Sequence, residues 1–239
     1  MILYKYFPCN EYTFKSLAVK GLWCHTYENM NDPFECLNVL ERTFSSLELE
    51  TFRAIVLNGK HQRWQNLAQK NDNELTHIIN TFRKEILHQY AFCSLSEDPN
   101  EILMWSHYAN SHNGIVIGFE FSELENNHHL QKVDYEENLN EINLEKYAHY
   151  LIGDTDDFID ELFKDYSIKS SHWGYEKEWR IWRKTPSYYY FKPEHVKEVC
   201  FGLNTSFETK AVIIELMNYL PDSVEFKEKK LCKNPLRIE

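Results

Sequence analysis

The sequence predicts an α+β protein: a sheet of short mixed strands with two inserted helical blocks. Short segments of alternating or continuously apolar residues recur along the chain, as strands require. Between them, residues at about 44–90 and 140–170 repeat apolar side chains at three- and four-residue spacing, which indicates amphipathic helices. The length of 239 residues and the 43% hydrophobic content suit a single α+β domain over residues 1–239.

The elements follow in order from the N-terminus. A strand is predicted at residues 2–6, followed by a helix that ends at Gly21, a common C-terminal cap residue, and a strand at 22–27. Further strands are predicted at 90–96, 114–121, 132–135, 175–182, 196–202 and 223–228, the last of which closes the chain.

Two of these elements carry more specific expectations. The segment 114–121, G-I-V-I-G-F-E-F, is apolar on both faces, which predicts an internal strand with residues 132–135 as its neighbour. Asp98, followed by Pro99 and Glu101, predicts a helix capped by Asp98.

Charge and composition narrow the classes of function. The net charge of −11 argues against non-specific nucleic-acid binding, which depends on Lys and Arg neutralising phosphates. No apolar run approaches the length of a membrane span and no signal peptide is evident, so we expect a cytoplasmic protein without a membrane partner. The cysteines and histidines form no metal-binding motif, so no tightly bound metal is expected. No glycine-rich phosphate loop occurs, so ATP or dinucleotide binding through a P-loop or Rossmann unit is not expected.

The segment Y-E-K-E-W-R-I-W (175–182) contains the most suggestive polar residues. Read as a strand, it places Glu176, Glu178 and Arg180 on one face, because side chains alternate along a strand. One interpretation is a solvated face on which Arg180 bridges both carboxylates, which would stabilise the fold only weakly. The other is the floor of an active site, where carboxylates act on a substrate.

Two other segments supply polar candidates. Ser94 and Ser96 share a strand face, where two hydroxyls can bind a ligand or support a carboxylate. Asn31, Asp32 and Glu35 surround a proline in N-D-P-F-E, a pattern typical of a turn that could also bind a ligand or metal.

The segment M-W-S-H-Y-A-N-S-H-N-G (104–114) places aromatic and imidazole groups together. Trp105 and Tyr108 lie three residues apart, so they share a helix face and are expected to pack in the core or against a ligand. His107 and His112 are surface or structural histidines unless the site is functional. The sequence contains no nucleophile–base signature.

Four segments together resemble a known family. L-Y-K-Y, L-W-C-H-T-Y-E-N-M-N-D-P-F-E, W-S-H-Y-A-N-S-H-N-G-I-V-I-G-F-E and W-G-Y-E-K-E-W-R-I-W occur in this order between residue 2 and about residue 202. They are similar to a widespread bacterial family described only as a domain of unknown function. Some of its members lie near phage-defence or abortive-infection genes, which implies a role in defence.

A looser likeness concerns mechanism. Enzymes that transfer ADP-ribose from NAD have a split sheet with an Arg or His on an early strand, S-x-S on a middle strand and E-x-E on a late strand. This chain has Lys5 and Tyr6 early, with His25 as another candidate for the Arg or His position. Ser94 and Ser96 occupy the middle position, and Glu176 and Glu178 the late one.

The likeness implies roles for these residues, with NAD as the substrate. Glu178 would bond the ribose 2′-hydroxyl and stabilise the oxocarbenium ion, and Glu176 would orient the acceptor. Ser94 would support Glu178, and Tyr108 or Trp105 would stack on the nicotinamide. Glu178 is expected to matter more than Glu176.

We therefore expect an ADP-ribosyltransferase-like enzyme, as a toxin or phage-defence effector with a protein or nucleotide target. One alternative is a non-catalytic module that senses a nucleotide or binds a protein. Another is a metal-dependent nuclease that uses Asp32, Glu35, Glu176 and Glu178. The most informative observation for the enzyme interpretation is whether Lys5, Ser94 and the two late glutamates converge on one cleft or are spread over a solvated surface.

Overall fold

The computed structural model describes residues 1–36, 42–60, 62–121, 129–137, 143–153 and 158–239. The protein is α+β, as predicted, and its sheets are mixed and mostly antiparallel. Two compact units are present. The sheet unit comprises Met1–His25, Ala91–Lys132 and His172–Glu239, and the helical unit comprises Thr26–Tyr90 and Val133–Ser171. Residues 61, 140–142 and 154–157 of the predicted helical blocks lie outside the described residues.

The strands are numbered in chain order. They are β1 (Ile2–Phe7), β2 (Gly21–Trp23), β3 (Tyr90–Ser96), β4 (Ile115–Glu120), β5 (His129–Lys132), β6 (Asp134–Glu136), β7 (Ile168–Ser170), β8 (Glu178–Lys184), β9 (Tyr188–Tyr190), β10 (Val196–Phe201), β11 (Glu225–Glu228), β12 (Leu231–Lys233) and β13 (Leu236–Ile238). The α-helices are α1 (Glu11–Val19), α2 (Ser46–Val56), α3 (Gln62–Ala68), α4 (Asp72–Leu87), α5 (Ile102–Tyr108), α6 (Leu144–Ile152), α7 (Phe158–Asp165) and α8 (Phe207–Leu216).

A seven-stranded sheet forms the centre of the sheet unit. Its order is β11-β10-β4-β1-β3-β8-β5, in which β10 and β11 pair in parallel. The pairs β1–β3, β1–β4, β4–β10 and β5–β8 are antiparallel. Strand β4 is internal, as its apolar residues predicted, but residues 132–135 are not beside it. Its neighbours are β1 and β10, while β5 pairs with β8 and β6 pairs with β7.

The two faces of this sheet carry different cores. On one face, Leu3 and Ile117 pack in a large cluster with Leu17 of α1 and Ile213 of α8. On the other face, a smaller cluster gathers around Tyr6 and the fully buried Trp105 of α5. The apolar residues alternate along β1 and β4 between the two cores, as a sheet covered on both sides requires.

The C-terminal end of α1 differs from the prediction. The side chain of Asn10 caps its N-terminus by accepting a hydrogen bond from the Thr13 backbone. The left-handed residue at its C-terminus is Lys20, with φ of 55°, and Gly21 begins β2 instead. The glycine is required there for space, since a Cβ would lie 2.8 Å from the Tyr188 ring.

The N-terminus of α5 also differs. Glu101 caps the helix, accepting from the backbone N–H of Leu103 at 3.0 Å, and Asp98 instead accepts from the backbone of Asn100 in the preceding turn. The predicted strand at 223–228 is β11, but it does not end the chain, because β12 and β13 follow as a hairpin.

The helical unit contains α2–α4, α6, α7 and the parallel pair β6–β7. Helix α2 begins with a capping box in which Ser45 and Glu48 bond each other's backbone N–H groups. Phe52 and Ile79 are buried in this unit, and the fully buried Arg83 lies 6.0 Å from the ring centroid of Tyr147. Among the described residues, none of the helices is both long and apolar enough to cross a membrane.

Candidate functional site

Glu176 and Glu178 are both buried in the sheet unit, each with 3% of its surface exposed. They do not alternate along one strand, contrary to the prediction. Glu176 ends the 3-10 helix Ser171–Glu176, Lys177 has a left-handed φ of 45°, and β8 begins only at Glu178. The interpretation of this segment as a solvated face is therefore wrong, because buried carboxylates require specific partners.

Arg180 is the partner of Glu178. Its Nε donates to Glu178 Oε1 at 3.0 Å, and its Nη2 donates to Oε2 at 3.3 Å. The guanidinium, fully buried, also lies 4.3 Å from the ring centroid of Phe92. This bidentate pairing stabilises the charged form of the Glu178 carboxyl and fixes its orientation.

Tyr108 is the partner of Glu176. The phenol at the end of α5 donates to Glu176 Oε1 at 2.5 Å. The backbone carbonyl of Glu176 accepts at 2.6 Å from the hydroxyl of Ser96, which is itself fully buried. The carboxylate of Glu176 thus has a neutral hydrogen-bond donor as its partner. The carboxylate of Glu178, two residues later, has a cation.

The serines of β3 have unequal roles. Ser96 holds the segment of Glu176, and its hydroxyl also accepts from the backbone of Asp98 at 3.1 Å. Ser94 contributes its carbonyl, which accepts from Lys5 Nζ at 2.9 Å. Within the described part of the chain, its hydroxyl makes no hydrogen bond to Glu178, the role that the likeness implied.

Lys5 and Tyr6 point to opposite faces of the sheet. Tyr6 packs with Trp105 at a centroid distance of 5.5 Å and donates to the Asp98 carbonyl at 2.6 Å. Burial raises the pKa of its phenol. Lys5 alternates with Tyr6 along β1, so it lies on the side of Leu3 and the large core. Arg180 alternates with Ile181, which is in that core, so Arg180 lies on the opposite face. The Nζ of Lys5 bonds the backbone of β3 at Ser94, whereas Glu178 and Arg180 project from the other face of the sheet.

His25 lies on the surface beside β3. Its backbone exchanges hydrogen bonds with Phe92 at 2.9 and 2.8 Å. Partial burial, together with the Lys5 charge, lowers the pKa of its imidazole. Its role at the early-strand position stays a prediction.

The segment from Trp105 to Gly114 forms a tight structural turn. Asn110, Ser111 and His112 have φ of 48°, 52° and 67°, a run that is rare for side-chain-bearing residues. The His112 ring stacks on Trp105 at 6.3 Å with planes 6° apart. A Cβ at Gly114 would lie 2.0 Å from the Phe7 carbonyl. His112 and Gly114, which belong to a segment that resembles the known family, therefore stabilise this turn.

Aromatic groups extend from Tyr108, the partner of Glu176. His107 is exposed, and its ring lies 6.2 Å from Tyr108 and 6.4 Å from Tyr175. Trp173 lies 6.1 Å from Tyr175. These partly exposed rings form a rim that can stack on a planar group of a ligand.

The N-D-P-F-E turn belongs to the helical unit. Asp32 Oδ1 accepts from the backbone of Phe34 at 2.9 Å, which is the turn geometry that the sequence predicted. Asp32 and Glu35 are only 3% and 6% exposed. Asp32 Oδ2 has no hydrogen-bond partner among the described residues. The side chain of Asn31 is likewise part of this unit.

A cavity of about 720 Å³ opens elsewhere in the sheet unit. Its lining mixes lysines with carboxylates and includes none of the predicted catalytic residues: Pro99, Asn100, Glu198, Cys200, Lys227, Glu228, Lys229, Lys230 and Glu239. No group of three or more His, Cys, Asp or Glu side chains in the described ranges is arranged to hold a metal ion.

Comparison with known proteins gives one match. Residues 104–181 are similar to a family described as a protein of unknown function (DUF2971). The matched segment, about a third of the chain, includes Tyr108, Glu176, Glu178 and Arg180 but not the N-D-P-F-E turn. Searches of curated proteins and of solved structures found no match. The likeness supports a family of unknown function and assigns no activity.

Phe92, Trp173 and Tyr175 were missed as members of the site. The signal for Phe92 was its position two residues before Ser94 on the same strand face. Trp173 and Tyr175 alternate just before Glu176, but the 3-10 helix that turns them toward one rim could not be read from the spacing.

Proposed function

We propose that the protein is an ADP-ribosyltransferase-like enzyme that uses NAD, acting as a toxin or defence effector. The observation that supports this best is the pair of buried carboxylates with unlike partners. Glu176 has the phenol of Tyr108, and Glu178 has the guanidinium of Arg180. Two neighbouring carboxyls in different environments can take different catalytic roles in a reaction at an anomeric carbon.

In this proposal the two glutamates act differently. Glu178, held in its charged form by Arg180, bonds the ribose 2′-hydroxyl and offsets the positive charge that develops as nicotinamide leaves. Glu176, hydrogen-bonded to Tyr108, orients the acceptor. The rim of Tyr175 and His107 supplies faces for stacking.

A second candidate is a non-catalytic module that senses a nucleotide. Both oxygens of Glu178 are bonded to Arg180, and Lys5 lies on the other face of the sheet. A site in which every polar group has a fixed partner is suited to recognition as well as to chemistry. A metal-dependent nuclease is not proposed, since the described residues contain no metal-holding group.

Incubation of the purified chain with NAD, followed by chromatography of released nicotinamide, tests the enzyme. We expect Glu178→Gln to reduce release about 100-fold or more, the effect of losing a transition-state contact. Tyr108→Phe, which keeps the ring, should reduce release about tenfold. The control Glu225→Gln changes a carboxylate that is 72% exposed and should leave release unchanged.

The outcomes separate the two candidates. Nicotinamide release that survives Glu178→Gln in a protein with a normal melting curve contradicts the enzyme proposal. Thermal stabilisation by NAD without any product supports the sensor. If the protein neither turns over NAD nor is stabilised by it, both candidates are contradicted.

A further inference from the structure

Strands β2 and β9 form a small antiparallel sheet whose two faces differ in chemistry. Trp23 pairs with Tyr188, and Gly21 pairs with Tyr190. The inner face is buried and contains Leu22, Cys24, Tyr189 and Phe191. The outer face, with the adjoining His25, carries a row of rings that we call the aromatic ladder: His25, Trp23, Tyr188 and Tyr190.

The rings of the aromatic ladder follow one another at short distances. Centroids are 6.2 Å apart for His25 and Trp23, 4.9 Å for Trp23 and Tyr188, and 5.9 Å for Tyr188 and Tyr190. Trp23 is 38% and Tyr190 66% exposed. The contacts are edge-on or tilted, so neighbouring rings leave parts of each other's faces open to solvent.

Cations flank the aromatic ladder at both ends. Lys192 follows Phe191 next to Tyr190, whereas the ammonium of the neighbouring Lys20 lies 4.5 Å from the ring centroid of Tyr219. Arg183 and Lys184 end β8, with three residues between Lys184 and Tyr188, and the Arg183 charge acts on the pKa of Cys24, which follows β2. In the part of the chain that the structure describes, none of these four cations is in an ion pair.

The local charge is opposite to that of the whole protein. The chain carries 37 Asp and Glu residues and a net charge of −11. The segments 12–25 and 179–193, which include β2 and β9 as well as most of α1 and β8, contain neither Asp nor Glu. The overall charge argued against nucleic-acid binding, but the field near a surface depends on its own residues.

We propose that the aromatic ladder binds single-stranded nucleic acid. Bases stack on aromatic side chains in such sites, and unpaired cations contact the phosphates. The ring spacing exceeds the rise of about 3.4 Å per base of a duplex strand, so bases that rest on successive rings are drawn out of helical stacking. A duplex, whose base faces are covered, cannot use the rings. This inference does not depend on the proposed NAD chemistry.

Fluorescence anisotropy with labelled oligo(dT) and oligo(U), and with a duplex of equal length, tests the proposal. The wild-type chain should bind the single strands more tightly than the duplex, with affinity that falls as salt rises. Tyr190→Ser and Trp23→Ser should each weaken binding about tenfold, the size of one lost stacking contact. Lys184→Gln/Lys192→Gln should lower the slope of log K against log salt by about 1.4.

Matched controls separate the aromatic ladder from general surface effects. Tyr12→Ser changes a tyrosine on α1 that is 71% exposed, and Lys60→Gln/Lys233→Gln removes two exposed cations elsewhere. Both should bind as the wild type does. If Trp23→Ser does not fold, Tyr190→Ser at its more exposed position still carries the test.

Several results would overturn the proposal. These are an absence of binding at low salt, equal affinity for single strands and duplex, or equal losses in the Tyr12 and Tyr190 variants. Self-association in sedimentation that Tyr190→Ser abolishes would make the aromatic ladder an interface between two copies. Binding of a proline-rich peptide or an oligosaccharide in place of the oligonucleotides would identify another occupant.

Discussion

The buried ion pair of Glu178 and Arg180 yields a sharp prediction about stability. Arg180 is fully buried and Glu178 is 3% exposed, with two hydrogen bonds between them. Glu178→Leu removes the carboxylate from a buried guanidinium, and Arg180→Met removes the guanidinium from a buried carboxylate. Each should lower the free energy of unfolding by about 3–5 kcal/mol, since each leaves a buried charge without this partner.

The double variant should behave differently from its parents. Leu and Met together leave neither charge in place, and Met can pack on the Phe92 ring that Arg180 now covers. Replacement of a buried ion pair by apolar groups is often close to neutral. We therefore expect a coupling free energy of about 3 kcal/mol or more between the two sites.

Urea denaturation followed by tryptophan fluorescence measures the coupling. The sheet unit contains every tryptophan except Trp64, so the signal reports mainly on this unit. Costs that simply add, with a coupling below about 0.5 kcal/mol, would refute the reasoning. That result would mean that the pair does not act as a unit.

Two further predictions concern the turn from Trp105 to Gly114. Gly114→Ala and Gly202→Ala should each lower the melting temperature strongly, because the new Cβ would lie 2.0 Å from the Phe7 carbonyl and 2.2 Å from that of His112; Gly174→Ala, with open space around it, is the control. Burial lowers the pKa of His112 below its ordinary value of 6.5. The folded state then binds fewer protons than the unfolded state, so stability should fall as pH drops below 6.5. His112→Asn, which tolerates the left-handed backbone, should reduce that slope in unfolding curves from pH 5 to 8, and an unchanged slope would contradict this account.

Much of the fold could be predicted from local patterns. The continuous apolar residues of 114–121 identified an internal strand, because only a strand covered on both faces buries every side chain. The predictions were wrong where a single turn interrupts a strand pattern. Lys177, with a left-handed φ, breaks the strand alternation that the sequence suggested between Glu176 and Glu178. Both carboxylates are buried, but Glu176 belongs to a 3-10 helix and Glu178 to β8.

The candidate site was predictable in its residues more than in its contacts. Glu176, Glu178, Arg180 and Tyr108 were singled out from residue type and spacing. The contact of Arg180 with Glu178 was foreseen, but that of Tyr108 with Glu176 could not be, because it depends on how α5 packs on the sheet. The contact of Lys5 with the Ser94 carbonyl could not be predicted for the same kind of reason: its strand was predicted, but its neighbour depends on the pairing of β1 with β3.

The sequence by itself determined the fold class, because hydrophobic periodicity is a local property of the chain. It also determined which polar residues are close neighbours along the chain. Only the tertiary structure decided which carboxylate meets a phenol and which meets a guanidinium. It alone brought Trp23 of β2 beside Tyr188 and Tyr190 of β9. Such pairings join residues that are distant in the chain, and their side chains are fixed by strand register and helix crossing, which no local pattern records.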